Sequence, residues 1–250
     1  MPLLETRGSA SAFGYGLNAS LSTNLILYLD AGNALSYPGS GTTWNDLSPL
    51  NRPLSFYTTP SYSSSNGGFI NFQGDANKNF AENSSVDAYN VDNLTIEVWT
   101  KINTSTNQTG FWIEKGVVNT QYAAFMEGSS LRWRLNGGDT FSSPNEETGN
   151  YLSINTWYQL VFTHTPGQQR FYRNSSLQFS KSASTNLAKL NDHGFTVGAW
   201  RNALYTTPPT TSNHGYYIDA GISIIRVYNK VLTQAEITTN FNQFRSRYGI

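Results

Sequence analysis

Hydrophobic and polar residues alternate most regularly in the segment LTIEVWTKI, residues 94–102. In an extended chain, successive side chains point to opposite faces. One face then carries Leu94, Ile96, Val98 and Ile102, and the other carries Thr95, Glu97, Trp99 and Lys101. This period of two predicts a β-strand with at least one face turned towards a hydrophobic core.

Other segments of strand character follow one another at short intervals along the chain. They are NLILYLDAG, FWIEKG, YAAFMEG, SLRWRLNGG, WYQLVFTHT, RFYRNSSLQFS and FTVGAW. Turn-forming residues separate them, as at 66–68 (NGG), 136–138 (NGG) and 166–167 (PG). Many short strands at this spacing, without long helices between them, predict an all-β fold, a single antiparallel β-sandwich of the jelly-roll kind.

The C-terminal segment changes from the strand pattern to a helical one. Thr233 followed by Glu236 forms a capping box, in which each side chain satisfies a free backbone N–H at the start of a helix. Apolar residues then recur at helical spacing, at Ile237, Phe241, Phe244 and Tyr248. We therefore predict a helix over residues 233–247 whose apolar stripe packs against the sandwich.

The first 22 residues show no periodicity and are rich in Gly, Ser and Ala, which is typical of an arm or a linker. They carry Glu5 and Arg7 and lack the apolar centre of a signal peptide, so the general secretory route is not indicated. The predicted organisation is an N-terminal arm, 1–22, and one domain, 23–250. We expect the arm to order on a partner rather than to fold alone.

The charge of the chain excludes several classes of partner. Sixteen Lys and Arg balance sixteen Asp and Glu, and only 13% of residues are charged. Nucleic acid and anionic membrane surfaces are therefore not expected as partners, and no apolar run approaches the ~18 residues that span a bilayer. The chain has no cysteine, which excludes disulfides and thiol chemistry.

The order of the motifs resembles that of the laminin-G-like, concanavalin A-like lectin/glucanase superfamily over residues 24–240. The segments that carry the resemblance are LILYLDAG, TTWNDLS, GGFINFQGD, LTIEVWTKI, WYQLVFTHT and the closing IRVYNKVLTQAEI. The opening LLETRGSASAFGYGL and the final FNQFRSRYGI are similar to the ends of laminin-G-like structural proteins of tailed bacteriophages.

This resemblance implies a non-enzymatic component of a virion surface, such as a capsid decoration, a neck subunit or a tail fibre subunit. Such a protein is assembled in the host cytoplasm and located on the virion, with other virion proteins as partners through its N-terminal arm. The alternative is a glycan-binding adhesin that contacts saccharides of the host surface. Whether the protein forms a homo-oligomer is left open.

Glucanases of this superfamily use carboxylates at alternate positions of one strand, because that spacing turns them towards the same sugar. No E-x-D-x-E pattern occurs here, and Glu97, Glu114 and Glu127 stand alone in separate segments. His164, His193 and His214 are scattered and follow no zinc or nucleophile motif. We therefore expect no catalytic residues, although two glutamates from different strands could still converge.

No cofactor is expected with certainty, and calcium is the one that the residues leave open. Calcium takes six to eight oxygen ligands. The acidic loop NGGDTFSSPNEETG offers some of them at Asp139, Asn145, Glu146 and Glu147, and Asp192 and Asp219 are further candidates.

Aromatic residues make up 14% of the chain, and flat rings with polar tips suit both sugars and protein partners. Trp99, Trp133 and Trp157 fall within strand patterns and are predicted to lie in the core. The segment after FTVGAW is instead a long loop, and long loops often carry binding residues. The predicted carbohydrate-binding or partner-binding residues are Trp200, Arg201, Tyr205, Asn213 and His214.

Overall fold

A computed structural model of the protein describes most of the predicted domain. The described residues are 23–84, 89–104, 108–116, 121–136, 138–142, 152–182, 186–189, 194–202 and 210–250, with the backbone alone described at 138–142. The predicted arm, 1–22, lies outside them. In the described part of the chain, no helix has the length and apolar character needed to cross a membrane.

Eighteen strands and one α-helix account for most of the described residues. In chain order they are β1 (Leu25–Asp30), β2 (Thr43–Trp44), β3 (Leu54–Phe56), β4 (Ser61–Ser63), β5 (Phe69–Gln73), β6 (Ala81–Asn83), β7 (Leu94–Ile102), β8 (Gly110–Lys115), β9 (Tyr122–Glu127), β10 (Ser130–Leu135), β11 (Gly138–Ser142), β12 (Trp157–Thr165), β13 (Gln168–Arg173), β14 (Ser176–Lys181), β15 (Phe195–Val197), β16 (Trp200–Arg201), β17 (His214–Gly215), β18 (Asp219–Tyr228) and the helix α1 (Gln234–Tyr248).

The first sheet has the strand order β14-β13-β12-β7-β18-β5-β4, with β1 added beside β18. Strand β18 is ten residues long and pairs with β7 along one side. Its other side is shared, because β5 pairs with its first half and β1 with its second half. All of these pairings are antiparallel. This central strand comes from near the C-terminus, so the first sheet is complete only when most of the chain is present.

The second sheet has the order β11-β10-β9-β8-β15-β6-β3-β2, and its pairings are also antiparallel. A separate two-stranded pair, β16 with β17, lies next to β8. The predicted all-β antiparallel sandwich with a C-terminal helix is thereby confirmed.

The core lies between the two sheets and contains one large cluster of buried apolar side chains. The alternate residues Leu94, Ile96 and Val98 of β7 belong to it, as the pattern of that strand predicted. Trp133 lies in the same core, whereas Trp99 and Trp157 lie in a second cluster under the helix. All three tryptophans are buried, which confirms the prediction for them.

Helix α1 covers the outward face of the first sheet and starts with the predicted capping box. Thr233 accepts a hydrogen bond from the backbone N–H of Glu236, and the Glu236 side chain accepts one from the backbone N–H of Thr233. Below the helix, Trp99 packs against the rings of Phe244 and Tyr248. The predicted stripe differs at one position, because Phe241 is only partly buried and Asn240 is buried in full.

The burial of Asn240 is explained by a carboxylate beneath the helix. Glu97 has no solvent exposure, and its Oε2 accepts a hydrogen bond of 2.8 Å from Asn240. Its Oε1 accepts hydrogen bonds of 2.9 Å from the Trp99 indole and 2.8 Å from Gln159. A buried charge requires such partners, so a polar residue replaces an apolar one on this face of α1.

The last turn of α1 is fastened to the sheet by Arg247. Its guanidinium forms a bidentate ion pair with Asp30, with N–O distances of 3.1 and 2.8 Å. It also donates to the backbone oxygen of Gly67 at 2.7 Å. Gly32 leaves the space for this contact, since an added Cβ would lie 1.8 Å from the Arg247 guanidinium. The end of the helix is therefore part of the packed domain.

Candidate functional site

Three of the predicted binding residues, Trp200, Arg201 and His214, lie on the short β16–β17 pair, which we call the hairpin. Trp200 pairs with Gly215 and Arg201 pairs with His214. Two hydrogen bonds of backbone N–H groups connect the hairpin region to the second sheet: the N–H of Arg201 donates to the Glu114 carboxylate at 2.7 Å, and the N–H of Phe111 donates to the backbone oxygen of Tyr216, which follows β17, at 3.2 Å. These bonds help to fix the position of the hairpin on the sheet.

Two of the predicted binding side chains point into the protein. Arg201 is 1% exposed and forms an ion pair with Glu82, and His214 is 4% exposed. The His214 imidazole lies 3.3 Å from the Glu82 carboxylate and stacks on Phe80 with ring centroids 3.7 Å apart. Burial alone raises the pKa of Glu82, but His214 and Arg201 outweigh it and hold the pKa below its usual value. In this arrangement both side chains hold the hairpin on the sheet.

Of the other two predicted residues of the loop, Asn213 is among the described residues. Asn213 is half-buried, and its backbone bonds to Thr210 and Asn202 within the loop. Tyr205 lies outside the described residues. A ligand role for the five predicted residues stays a prediction. Among the four of them that the structure describes, Trp200 is the one with an aromatic ring near the surface.

Trp200 is part of a set of rings that we call the aromatic shelf: Trp200, Tyr216, Phe111 and Phe125. Tyr216 is 52% exposed, and its ring centroid lies 5.4 Å from that of Trp200. Beneath them, Phe111 and Phe125 stack in parallel at 4.5 Å. The shelf is thus an exposed tyrosine and a half-buried tryptophan on a buried aromatic base.

Three of these rings, Tyr216, Phe111 and Phe125, were not predicted as binding residues, although the sequence carries a local signal for the two phenylalanines. Phe125 alternates in β9 with Ala124 and Met126, which face the core, so its ring must face outwards. Phe111 pairs with Phe125 across the neighbouring strand. Outward aromatic residues in register on adjacent strands indicate an ordered aromatic surface. The register between strands, however, is not visible in the sequence.

The carboxylates named in the sequence analysis do not converge. Glu97 belongs to the first sheet and lies beneath α1, whereas Glu114 belongs to the second sheet. Glu127 is exposed at the end of β9 and pairs with Arg132 at 2.7 Å. The register places Glu82 and Glu114 on either side of Thr196, and both bind Arg201. The convergence of Glu82 and Glu114 on Arg201 was not predicted from the sequence, and it holds the hairpin on the second sheet.

The candidate calcium ligands are mostly beyond what the structure describes. The side chain of Asp139, residues 145–147 and Asp192 lie outside the described residues. Asp219 is described, and its carboxylate accepts hydrogen bonds from Asn103 and Thr104. Within the described ranges, no three His, Asp or Glu side chains come together as a metal-binding group.

The two packed antiparallel sheets define the protein as a β-sandwich. A family model described as the concanavalin A-like lectin/glucanases superfamily matches residues 61–238, which is more than half of the chain. The protein therefore belongs to this superfamily, as its motifs predicted. A comparison with curated proteins found no match.

Solved structures share this fold at low sequence identity. The receptor binding domain of botulinum neurotoxin mosaic serotype C/D is 13% identical, with a TM-score of 0.65 over 89% of this chain and 51% of that one. Botulinum neurotoxin type C, whose cell entry depends on interaction with two ganglioside molecules, is 17% identical, with a TM-score of 0.63 over 90% and 52%. A mutant of Trypanosoma rangeli sialidase is 14% identical, with a TM-score of 0.62 over 92% and 34%.

These similarities concern the fold alone. The protein spans about half the length of the two neurotoxin chains and about a third of the sialidase chain. The same fold is thus present in receptor-binding domains and as part of an enzyme.

Proposed function

We propose that the protein is a non-enzymatic, lectin-like component of a bacteriophage virion surface that binds host saccharide on the aromatic shelf. The observation that carries the binding proposal is the pair Trp200 and Tyr216, held 5.4 Å apart at the surface on a buried aromatic base. Fold does not establish function, so the proposal rests on this surface and not on the superfamily.

The shelf has the two properties that sugar recognition requires. Aromatic rings offer a flat apolar surface for the C–H face of a sugar ring. A rigid base lowers the conformational entropy lost on binding, since the rings are ordered before the ligand arrives. Here the base is fixed by the Phe111–Phe125 stack and by Arg134, whose guanidinium lies 4.7 Å from the Phe125 ring centroid.

The arrangement of the acids supports a non-enzymatic role. A retaining glycosidase needs two carboxyl groups about 5–5.5 Å apart on either side of a sugar, one of them free to donate a proton. Glu82 and Glu114 both accept hydrogen bonds from Arg201, and Glu97 is enclosed under α1. These three glutamates therefore have structural partners in place of a substrate.

The virion location is supported by the two ends of the chain. The opening segment and the closing FNQFRSRYGI are similar to the ends of laminin-G-like structural proteins of tailed phages. Botulinum neurotoxin type C, whose structure includes the same fold, depends for cell entry on interaction with two ganglioside molecules, which is consistent with a glycan-binding role for a protein of this fold. Other virion proteins would hold the chain through residues 1–22.

We expect the double variant Trp200→Ala, Tyr216→Ala to lose saccharide binding by about tenfold or more, because aromatic anchors dominate such interfaces. The measurement is a glycan array followed by titration with host-surface polysaccharide. Tyr57→Ala is the matched control, since Tyr57 is an exposed aromatic outside the shelf. Equal binding by the wild type and the double variant, with unchanged melting curves, would reject the shelf as the binding surface.

Deletion of residues 1–22 is expected to leave the sandwich folded and to prevent its incorporation into particles. The segment is rich in Gly, Ser and Ala and its apolar residues follow no period, so it is not expected to contribute much buried area. Circular dichroism would report the β-sheet signal, and cryo-electron microscopy of the source phage would show whether the truncated chain is present. Normal incorporation of the truncated chain would refute the role of the arm.

A further inference from the structure

A polar groove lies on the outward face of the first sheet, beside the end of α1. The register of five neighbouring strands places one residue from each in a single row, in the order Ser61, Asn71, Gly221, Lys101 and Trp157. At one end of this row, Trp157 packs against Tyr248 of α1, with ring centroids 4.7 Å apart. The groove therefore begins where the cover provided by the helix ends.

The groove has the size of a ligand site and is open to solvent. Its volume is about 600 Å³, within the range of about 300–1,000 Å³ usual for small-molecule sites. Gly221 leaves room for the side chains of two lining residues: a Cβ at this position would lie 3.0 Å from Phe69 and 3.2 Å from Lys101. A larger residue would displace both side chains.

A hydrogen-bond network fixes the amide groups along one wall. The Nδ2 of Asn103 donates to Asn71 Oδ1 at 2.9 Å, to the Phe72 backbone oxygen at 3.1 Å and to Asp219 Oδ1 at 2.9 Å. The other oxygen of Asp219 accepts from Thr104. Because each group is held by a neighbour, the wall is ordered before any ligand binds.

The end of the groove beside α1 is aromatic. Phe69 meets Trp157 edge to face at 5.4 Å, and the Lys101 ammonium lies 4.7 Å from the Phe69 ring centroid. Among the described residues that line the groove, Lys101 is the one cation and Asp219 the one anion, so their formal charges cancel. Donors and acceptors on an apolar floor, without net charge, suit a ligand that is rich in hydroxyl groups and uncharged.

We propose that this groove is a second binding site, separate from the aromatic shelf, and that it takes a neutral saccharide. The amides of Asn71 and Gln73 and the ammonium of Lys101 face the hydroxyl groups of the sugar, and the Phe69 end meets its apolar side. A strongly anionic ligand is disfavoured, because Lys101 is opposed by Asp219. The groove and the shelf lie on different sheets, so one can bind without the other.

The test uses the full chain, calorimetric titration, and neutral oligosaccharides as probes: maltoheptaose, cellohexaose and chitohexaose, with a hexamer of galacturonic acid as the anionic comparison. Ser61→Trp adds bulk at the rim of the groove and is expected to weaken binding of a neutral probe by tenfold or more. Ser180→Trp is the control, because Ser180 is an exposed serine on β14 at the opposite edge of the same sheet. Lys101→Met keeps the apolar stem and is expected to weaken binding by about tenfold, the effect of one charged hydrogen bond.

The Trp200→Ala, Tyr216→Ala variant separates this site from the shelf. It is expected to retain binding of the neutral probe in the groove, even if the shelf has no ligand. The groove proposal is overturned if Ser61→Trp, with an unchanged melting curve, binds as the wild type does. It is equally overturned if none of the neutral probes binds or if the anionic hexamer alone binds.

Discussion

Replacing Glu97 with glutamine is expected to lower the free energy of unfolding by about 3–5 kcal/mol, as found when one partner of a buried charge pair is removed. Glu97 has no solvent exposure, and the guanidinium of Arg226, also fully buried, lies 3.9 Å from it. The amide of glutamine would leave this cation without its counter-charge. Its NH2 group would also face a donor where an oxygen now accepts, either Asn240 at the Oε2 position or Trp99 and Gln159 at the Oε1 position.

Chemical denaturation monitored by tryptophan fluorescence would measure this loss. The matched control is Glu127→Gln, since Glu127 is exposed and its ion pair with Arg132 lies at the surface. Such pairs contribute about 0–1 kcal/mol. Similar stabilities for the two variants would contradict the structural role of Glu97.

Replacing Phe244 with alanine is expected to cost about 3–5 kcal/mol, the usual range for a buried phenylalanine. For a chain of this length that loss lowers the thermal midpoint by roughly 6–20 °C. Phe244 is 6% exposed, packs edge to face on Trp99, and has the Arg226 guanidinium 4.5 Å from its ring centroid. The alanine would leave a cavity between the helix and the first sheet.

The comparison for this prediction is Phe241→Ala in the same helix. Phe241 is only partly buried, although its ring stacks on Trp99 at 5.8 Å. Its removal is therefore expected to lower the midpoint by a smaller amount. Scanning calorimetry of both variants would check the order, and a midpoint unchanged in Phe244→Ala would show that α1 is not part of the core.

Local sequence patterns predicted the start of α1 but not all of the residues on its buried face. The capping box at Thr233 and Glu236 is a contact over three residues, so its letters alone predicted where α1 begins. The choice of Asn240 over Phe241 for the buried face depended on a carboxylate 143 residues away in the sequence. No helical period contains that information, because the period describes the helix and not the surface beneath it.

In the candidate site, too, the sequence predicted one part and the tertiary structure decided the other. Trp, Arg and His close together in a long polar segment predicted a binding surface there, and Trp200 does lie near the surface. The sequence could not show that Arg201 and His214 would turn inwards, because Glu82 is more than a hundred residues away and reaches them only through the order of the strands.

The alternation of residues along β7 and its neighbours was enough to determine an all-β sandwich, since a period of two is a property of each strand alone. The aromatic shelf and the groove were decided by the tertiary structure. Three residues that line the groove, Ser61, Asn71 and Lys101, come from three strands and lie in one row only through the register of the sheet, which also brings Gly221 and Trp157 into that row. Register is set by pairing between distant segments, and a shift of one residue would turn every one of these side chains to the other face.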